Sequence, residues 1–275
     1  MTWTSRRLNY VVLCAAPFVA GGLAAARPLR IPGVYQIVGA LMFAGFFAST
    51  WSLGLRVVRV GPDERQKLAL AGGLLQAPSA LIALLWVGLG GPWVATPTEN
   101  RMRYLVLLVM AMAVATAFMV LKDALSEAGE RMYSMLGFAT NIFAGAAYMV
   151  WLTIYLAAFD VKVREGKLSP EIVPLINMSD TLLFVACVLT YLTTASFAAS
   201  MGRAAWLGRG AARAYVIASL VALLLIVIRG LSYPDPNAAP WYTLPGFIAG
   251  IPAVPWIMPS LLGVVLLKRA GEPSA

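Results

Sequence analysis

Two ionisable residues, Asp180 and Arg229, stand inside stretches that are otherwise apolar. In a hydrocarbon setting, a charge in such a stretch is expensive to hold, and it marks either a functional site or a pair that locks helices together. Asp180 lies near the start of the apolar segment 173–199, and Arg229 near the end of 213–232. At about 1.5 Å of rise per residue, antiparallel neighbours would bring the two to similar depth. Pairing would spare each charge an uncompensated desolvation. Such a pair is either a salt bridge between helices or an ion or carboxylate site. A third reading has Asp180 opening its helix beside the cap-like Asn177 and Ser179, with Arg229 reaching out to the headgroups.

Uncharged polar groups add to the candidates. Gln76 and Asn141 fall at similar depth in their segments, and Gln36 lies farther out. Amides at such positions ordinarily make interhelical hydrogen bonds; lining a solute path is the other reading. The stretch Pro245–Pro259 is the most unusual. Pro252, Pro255 and Pro259 each remove a backbone donor and crowd the carbonyl four residues back, so a helix here must kink or unwind. Freed carbonyls in lipid need partners or a wet cavity, and a broken helix near the midplane points to a transporter site. A packing kink is the plainer reading. The candidate substrate-binding set is therefore Asp180, Arg229, Pro252, Pro255, Trp256, Gln76 and Asn141.

Chemistry that is missing narrows the classes. The chain has no His, which removes the usual haem ligand, most zinc sites and the Ser–His dyad. No lysine stands mid-segment to carry a Schiff base, and no phosphate-binding glycine loop occurs. Cys14 and Cys187 have no CxxC neighbour. No catalytic residues, metal or cofactor are assigned. Tyr148, Tyr155, Tyr191 and Tyr233 leave a lipid-modifying enzyme as the least favoured class.

What positions these residues must be a membrane bundle. With 60% hydrophobic and 12% charged residues, the chain is too apolar for a soluble domain, which runs near 45–50% and 25%. Eight apolar segments come close to the length of a bilayer span: 8–26, 33–55, 68–90, 104–121, 132–159, 173–199, 213–232 and 246–267. The expected fold is all-α, a polytopic transmembrane bundle of about eight spans forming a single domain over 1–275. Ser5-Arg6-Arg7 followed by an apolar run to Ala26 also resembles a secretory signal, which would leave seven spans. The net charge of +9 arises from small basic clusters between segments, which orient membrane proteins, and not from a nucleic-acid surface. With the N-terminus inside, thirteen basic residues fall on the inner loops and eight, Arg101 and Arg103 among them, on the outer ones. That asymmetry favours cytoplasmic termini in a cell inner membrane.

Three marks recur in the two halves, 1–127 and 128–275. Gly54-Leu55-Arg56 answers Met201-Gly202-Arg203, Gly91-Pro92-Trp93 answers Ala239-Pro240-Trp241, and Val120-Leu121-Lys122 answers Leu266-Leu267-Lys268. Four helices per half would make a parallel repeat of a kind found in transporters; chance agreement is the alternative. The favoured function is a permease-like bundle for a small solute or lipid, with its site near the outer ends of the sixth to eighth helices. A non-catalytic subunit anchoring a larger membrane complex is the alternative. The partners implied are the lipid bilayer, with a second membrane protein or another copy of the chain as further candidates.

Overall fold

The computed structural model describes residues 3–25, 33–88, 95–168, 170–231, 248–251 and 253–272. Every regular element among them is helical. In chain order these are α1 (Trp3–Ala25), α2 (Val34–Val60), α3 (Asp63–Val87), α4 (Pro97–Glu127), α5 (Met132–Glu165), α6 (Ile172–Arg203), α7 (Arg209–Leu231) and α8 (Ile257–Ala270). Six of them, α2 to α7, are long and apolar enough to cross a membrane.

Their outer faces are oily. On α7, Ile217, Leu220, Val221, Leu224 and Ile228 recur at helical spacing and are all exposed. A soluble bundle would turn such a stripe inward; here hydrocarbon is the natural surrounding. The interior instead collects hydroxyls and amides, with Gln76, Thr140, Asn141, Thr190, Thr193, Thr194, Ser200 and Ser260 buried.

Helices α3 to α7 pack in sequence, each on the next, and α8 returns to lie along α3, with α1 and α2 beside that pair. Glycine permits the closest crossing. A Cβ on Gly263 would come within 2.8 Å of the Leu75 Cβ and 2.9 Å of the Gly72 carbonyl oxygen. A Cβ on Gly54 would run into the Leu267 carbonyl. Across the same seam the Gln76 amide donates to the Ser260 carbonyl, and the Ser260 hydroxyl donates to the Leu75 carbonyl at 2.9 Å. Arg6 on α1 donates to the Lys268 carbonyl at 2.8 Å, so the start of the first helix meets the end of the last.

Two departures from the expected boundaries matter. Helix α4 begins at Pro97 and not near 104, because its first turn is strongly capped. The Glu99 N–H donates to the Thr96 hydroxyl, and the Glu99 carboxylate accepts from the Thr96 N–H at 2.7 Å. Proline suits the first helical position, where its missing N–H is no loss. Arg103, counted above with the outer loops, therefore sits inside the bundle. The last segment is broken in its first half, as its prolines require. Ile248–Gly250 and Val254–Trp256 are 3₁₀ turns, Ala253 between them has φ +78°, and the α-helix starts only at Ile257. Pro252 and Gly246 lie outside the described residues, as do both Pro-Trp loops of the repeat.

Candidate functional site

Helices α4, α5 and α6 each turn one polar and aromatic face toward the same column of the interior. Near the start of α4, on the side that meets α3, Arg103 is 1% exposed. Its guanidinium donates to Asn100 Oδ1 at 2.7 Å and lies 5.2 Å from the centroid of the Trp86 ring. Trp86 belongs to a π-helical turn at Ala83–Val87 that follows Pro78 within α3. Such turns shift the register of a helix face and recur at functional sites; here the result is an indole set against a buried cation.

Tyr104, the next residue on α4, faces α5. Its ring stacks on Tyr155 at 4.7 Å and on Phe159 at 5.3 Å, and meets Trp151 edge-on at 5.7 Å. The Tyr155 hydroxyl donates to Asp180 Oδ1 at 2.9 Å, so Asp180 on α6 is tied to this aromatic group. The Arg229 side chain lies outside the described residues. The indole nitrogens of Trp86 and Trp151 are both buried without an acceptor.

Farther in, α4 presents Ala111, Val114, Ala115 and Phe118, α5 presents Asn141, Ala144, Gly145 and Tyr148, and α6 presents Thr190 and Thr193. With Trp256 these residues line a cavity of about 10 Å³, which is about the room one water needs. The Asn141 amide donates to the Ala115 carbonyl at 3.0 Å, and Thr140 and Thr193 share a hydrogen bond of 2.8 Å. The Tyr148 ring lies 5.0 Å from that of Trp256, and the Tyr191 hydroxyl donates to the Ala249 carbonyl at 3.1 Å. The latter bond satisfies a carbonyl that the broken segment leaves outside a regular helix. Phe118 stacks on Phe197 at 4.7 Å and closes the inner end of the cavity.

Beyond that stack, at the turn from α4 to α5, Glu130 accepts from the backbone N–H groups of Tyr133 and Ser134, each at 3.2 Å, and from the Ser200 hydroxyl. Arg203 lies 3.9 Å away. Burial alone would raise the carboxyl pKa, but these donors and the arginine outweigh it and hold the group below the usual carboxylate range.

Of the candidates read from the sequence, Asn141 and Trp256 share the cavity, and Pro255 is buried beside Trp256 in the same 3₁₀ turn. Asp180 belongs to the aromatic group above them. Gln76 stands apart, on the α3–α8 seam. Sequence reading missed Arg103, Trp86, Tyr104 and Glu130. The signal available for Arg103 was the Thr96-Pro97-Thr98-Glu99 capping pattern, which moves the start of the helix outward past it.

Fold and site together are those of a multi-pass helical membrane bundle with a polar, aromatic interior column. No described protein family, curated protein or solved structure matches this chain.

Proposed function

We propose that this protein is a permease-like bundle that passes a small solute along the column between α4, α5 and α6. In this reading the chain crosses the bilayer eight times. Six helices have the length and apolarity for it, and α1 adds a buried face of Leu13, Ala16 and Ala20. Helix α8 spans about 21 Å at 1.5 Å per residue, and the 3₁₀ turns before it extend that reach. The Arg6–Lys268 contact supports both termini on one side, which the excess of basic residues there makes the cytoplasmic side of an inner membrane. The parallel four-plus-four repeat belongs to this reading as an expectation of the sequence.

The observation that carries the proposal is the order of groups along one interior face. An aspartate-bound aromatic cluster stands outermost, with a buried arginine next to it on α4 turned to Trp86 of α3. A cavity with an amide and two hydroxyls follows, then an aromatic closure, then a hydrogen-bonded carboxylate. Such a series offers a solute successive polar contacts across a region where backbone and charge otherwise lack partners.

Reconstitution into liposomes tests it. The protein should carry a small solute at a rate above empty vesicles, and Asp180→Asn or Asn141→Leu should slow that flux by about tenfold, the loss of one hydrogen bond to a charged or buried group. The small cavity favours a second reading, a tightly packed subunit that anchors a membrane complex. A stoichiometric partner retained in mild detergent, together with no flux for any solute in a metabolite library, would decide for that alternative.

A further inference from the structure

The cavity between α4, α5 and α6 is small and uncharged. It has about 10 Å³ of room, and its described lining includes no Asp, Glu, Lys or Arg. Its walls resist widening. A Cβ on Gly145 would stand 3.3 Å from that of Ala115, so α4 and α5 already approach closely there. The Tyr148 and Trp256 rings, 5.0 Å apart, fill another side. The polar groups in the lining are short of donors. Asn141 is 3% exposed and donates its amide to the Ala115 carbonyl at 3.0 Å, yet among the described residues its Oδ1 accepts no hydrogen bond. The Thr190 hydroxyl gives its one proton to the Ala186 carbonyl at 2.7 Å, which leaves its oxygen able only to accept. A buried acceptor without a donor has given up its hydration for nothing. A small donor held in the cavity restores that loss.

We propose that this cavity selects the solute: an uncharged hydrogen-bonding molecule about the size of water, such as water itself or ammonia. The assignment rests on the permease reading and names its substrate class. Size sets one limit. The cavity has about the room one water needs, so a molecule of several heavy atoms would have to part helices that Gly145 and Ala115 hold together. Charge sets the other. An ion entering here would shed its water among groups that carry no opposite charge, and nothing would offset that cost. Asp180 is bound to Tyr155 in the aromatic group, and Glu130 lies beyond the Phe118–Phe197 stack; neither belongs to the lining. The O–H or N–H groups of water and ammonia match Asn141 Oδ1 and the Thr190 oxygen as acceptors.

The test compares liposomes holding the full-length protein with empty ones. Osmotic shrinkage followed by light scattering reports water, and an internal pH dye reports ammonia. Urea is the larger neutral probe and Na⁺ the charged one. Water or ammonia should cross faster than in empty vesicles, and urea and Na⁺ no faster. Asn141→Leu deletes the free acceptor and should cut the protein-dependent rate about tenfold, as above. Thr190→Val keeps the shape of the side chain but deletes the hydroxyl, and should cut it about fivefold, the range for one ordinary hydrogen bond. Should Asn141→Leu fail to fold, Thr190→Val decides the matter. The solute class is overturned, and the permease reading kept, if urea or a larger solute crosses while water and ammonia do not exceed the empty vesicles. It is overturned equally if urea keeps pace with water, or if Na⁺ crosses by a route that Asn141→Leu closes. Flux of water or ammonia that the variants leave untouched places the path elsewhere and sinks the site. No flux of any solute, large or small, sinks the permease reading itself.

Discussion

Phe118 on α4 and Phe197 on α6 stack at 4.7 Å, and a Cβ on Gly137 of α5 would come within 2.7 Å of the Phe197 ring. Three helices thus meet on one aromatic pair at the inner end of the cavity. Gly137→Ala should destabilise the protein by about 1–3 kcal/mol, because a filled core has no room for the added methyl. Combining it with Phe197→Leu should recover part of that loss, and a double-mutant cycle on thermal unfolding in detergent measures the coupling, expected at about 0.5–3 kcal/mol. Strict additivity of the two changes would mean that the ring does not meet Gly137.

The α3–α8 seam makes a similar demand. Gly263→Ala sets a methyl against the Gly72 carbonyl and the Leu75 side chain, both of which belong to a helix that cannot shift alone. The expected loss is about 1–3 kcal/mol. Lys67→Ala provides the contrast. Lys67 bridges Asp123 at 2.7 Å and Glu127 at 2.5 Å, but the acids are exposed, so removing it should change stability by no more than about 1 kcal/mol. Melting temperatures of the two variants in one detergent check the ranking, and it fails if Lys67→Ala is the more damaging.

Glu130 makes stability depend on pH with a definite sign. Its carboxyl is held below the usual range, so the folded state favours the ionised form. That contribution is complete above the pKa of an unfolded glutamate, about 4.3. It is lost as pH falls through the lower folded value. Wild-type protein should therefore lose stability on acidification below that point, and Glu130→Gln should be less stable at neutral pH and flatter across the same window. Thermal unfolding followed from neutral to acid pH measures both, and parallel curves for the two proteins would rule the assignment out.

How much of this was legible beforehand follows from the physics. Six of the expected spans stood out because hydrocarbon selects long apolar runs, and the break before Ile257 stood out because proline cannot donate. Arg103 was misplaced because hydropathy treats an arginine at the end of an apolar run as loop, whereas a capped helix start carries it inward. The close crossings escaped for a different reason. With 24 glycines in the chain, sequence spacing does not say which pair meets. Gly72 and Gly263 meet because α8 returns to α3, a choice made by the whole bundle. Asn141 was recognised as a buried amide, yet its cavity needed Thr190 and Thr193 from a helix fifty residues on.

The layout itself can be tested by chemistry at two acids. Asp123 near the end of α4 pairs with Lys67, while Asp160 near the end of α5 pairs with Arg101 at 2.6 Å. Both acids are exposed, and the two lie at opposite ends of the α4–α5 pair. In this bundle Asp123 belongs with Arg6, Glu130 and Lys268, and Asp160 with Arg103 and Asp180. The native thiols offer little background, since Cys187 is buried and Cys14 half-buried. A membrane-impermeant maleimide applied to intact spheroplasts should therefore label Asp160→Cys and spare Asp123→Cys until the membrane is opened. Labelling of Asp123→Cys alone would invert the orientation and put the basic-rich ends outside. Labelling of both in intact spheroplasts would mean that α4 and α5 do not cross the membrane as a pair, and the interior column would lose the two faces on which it depends.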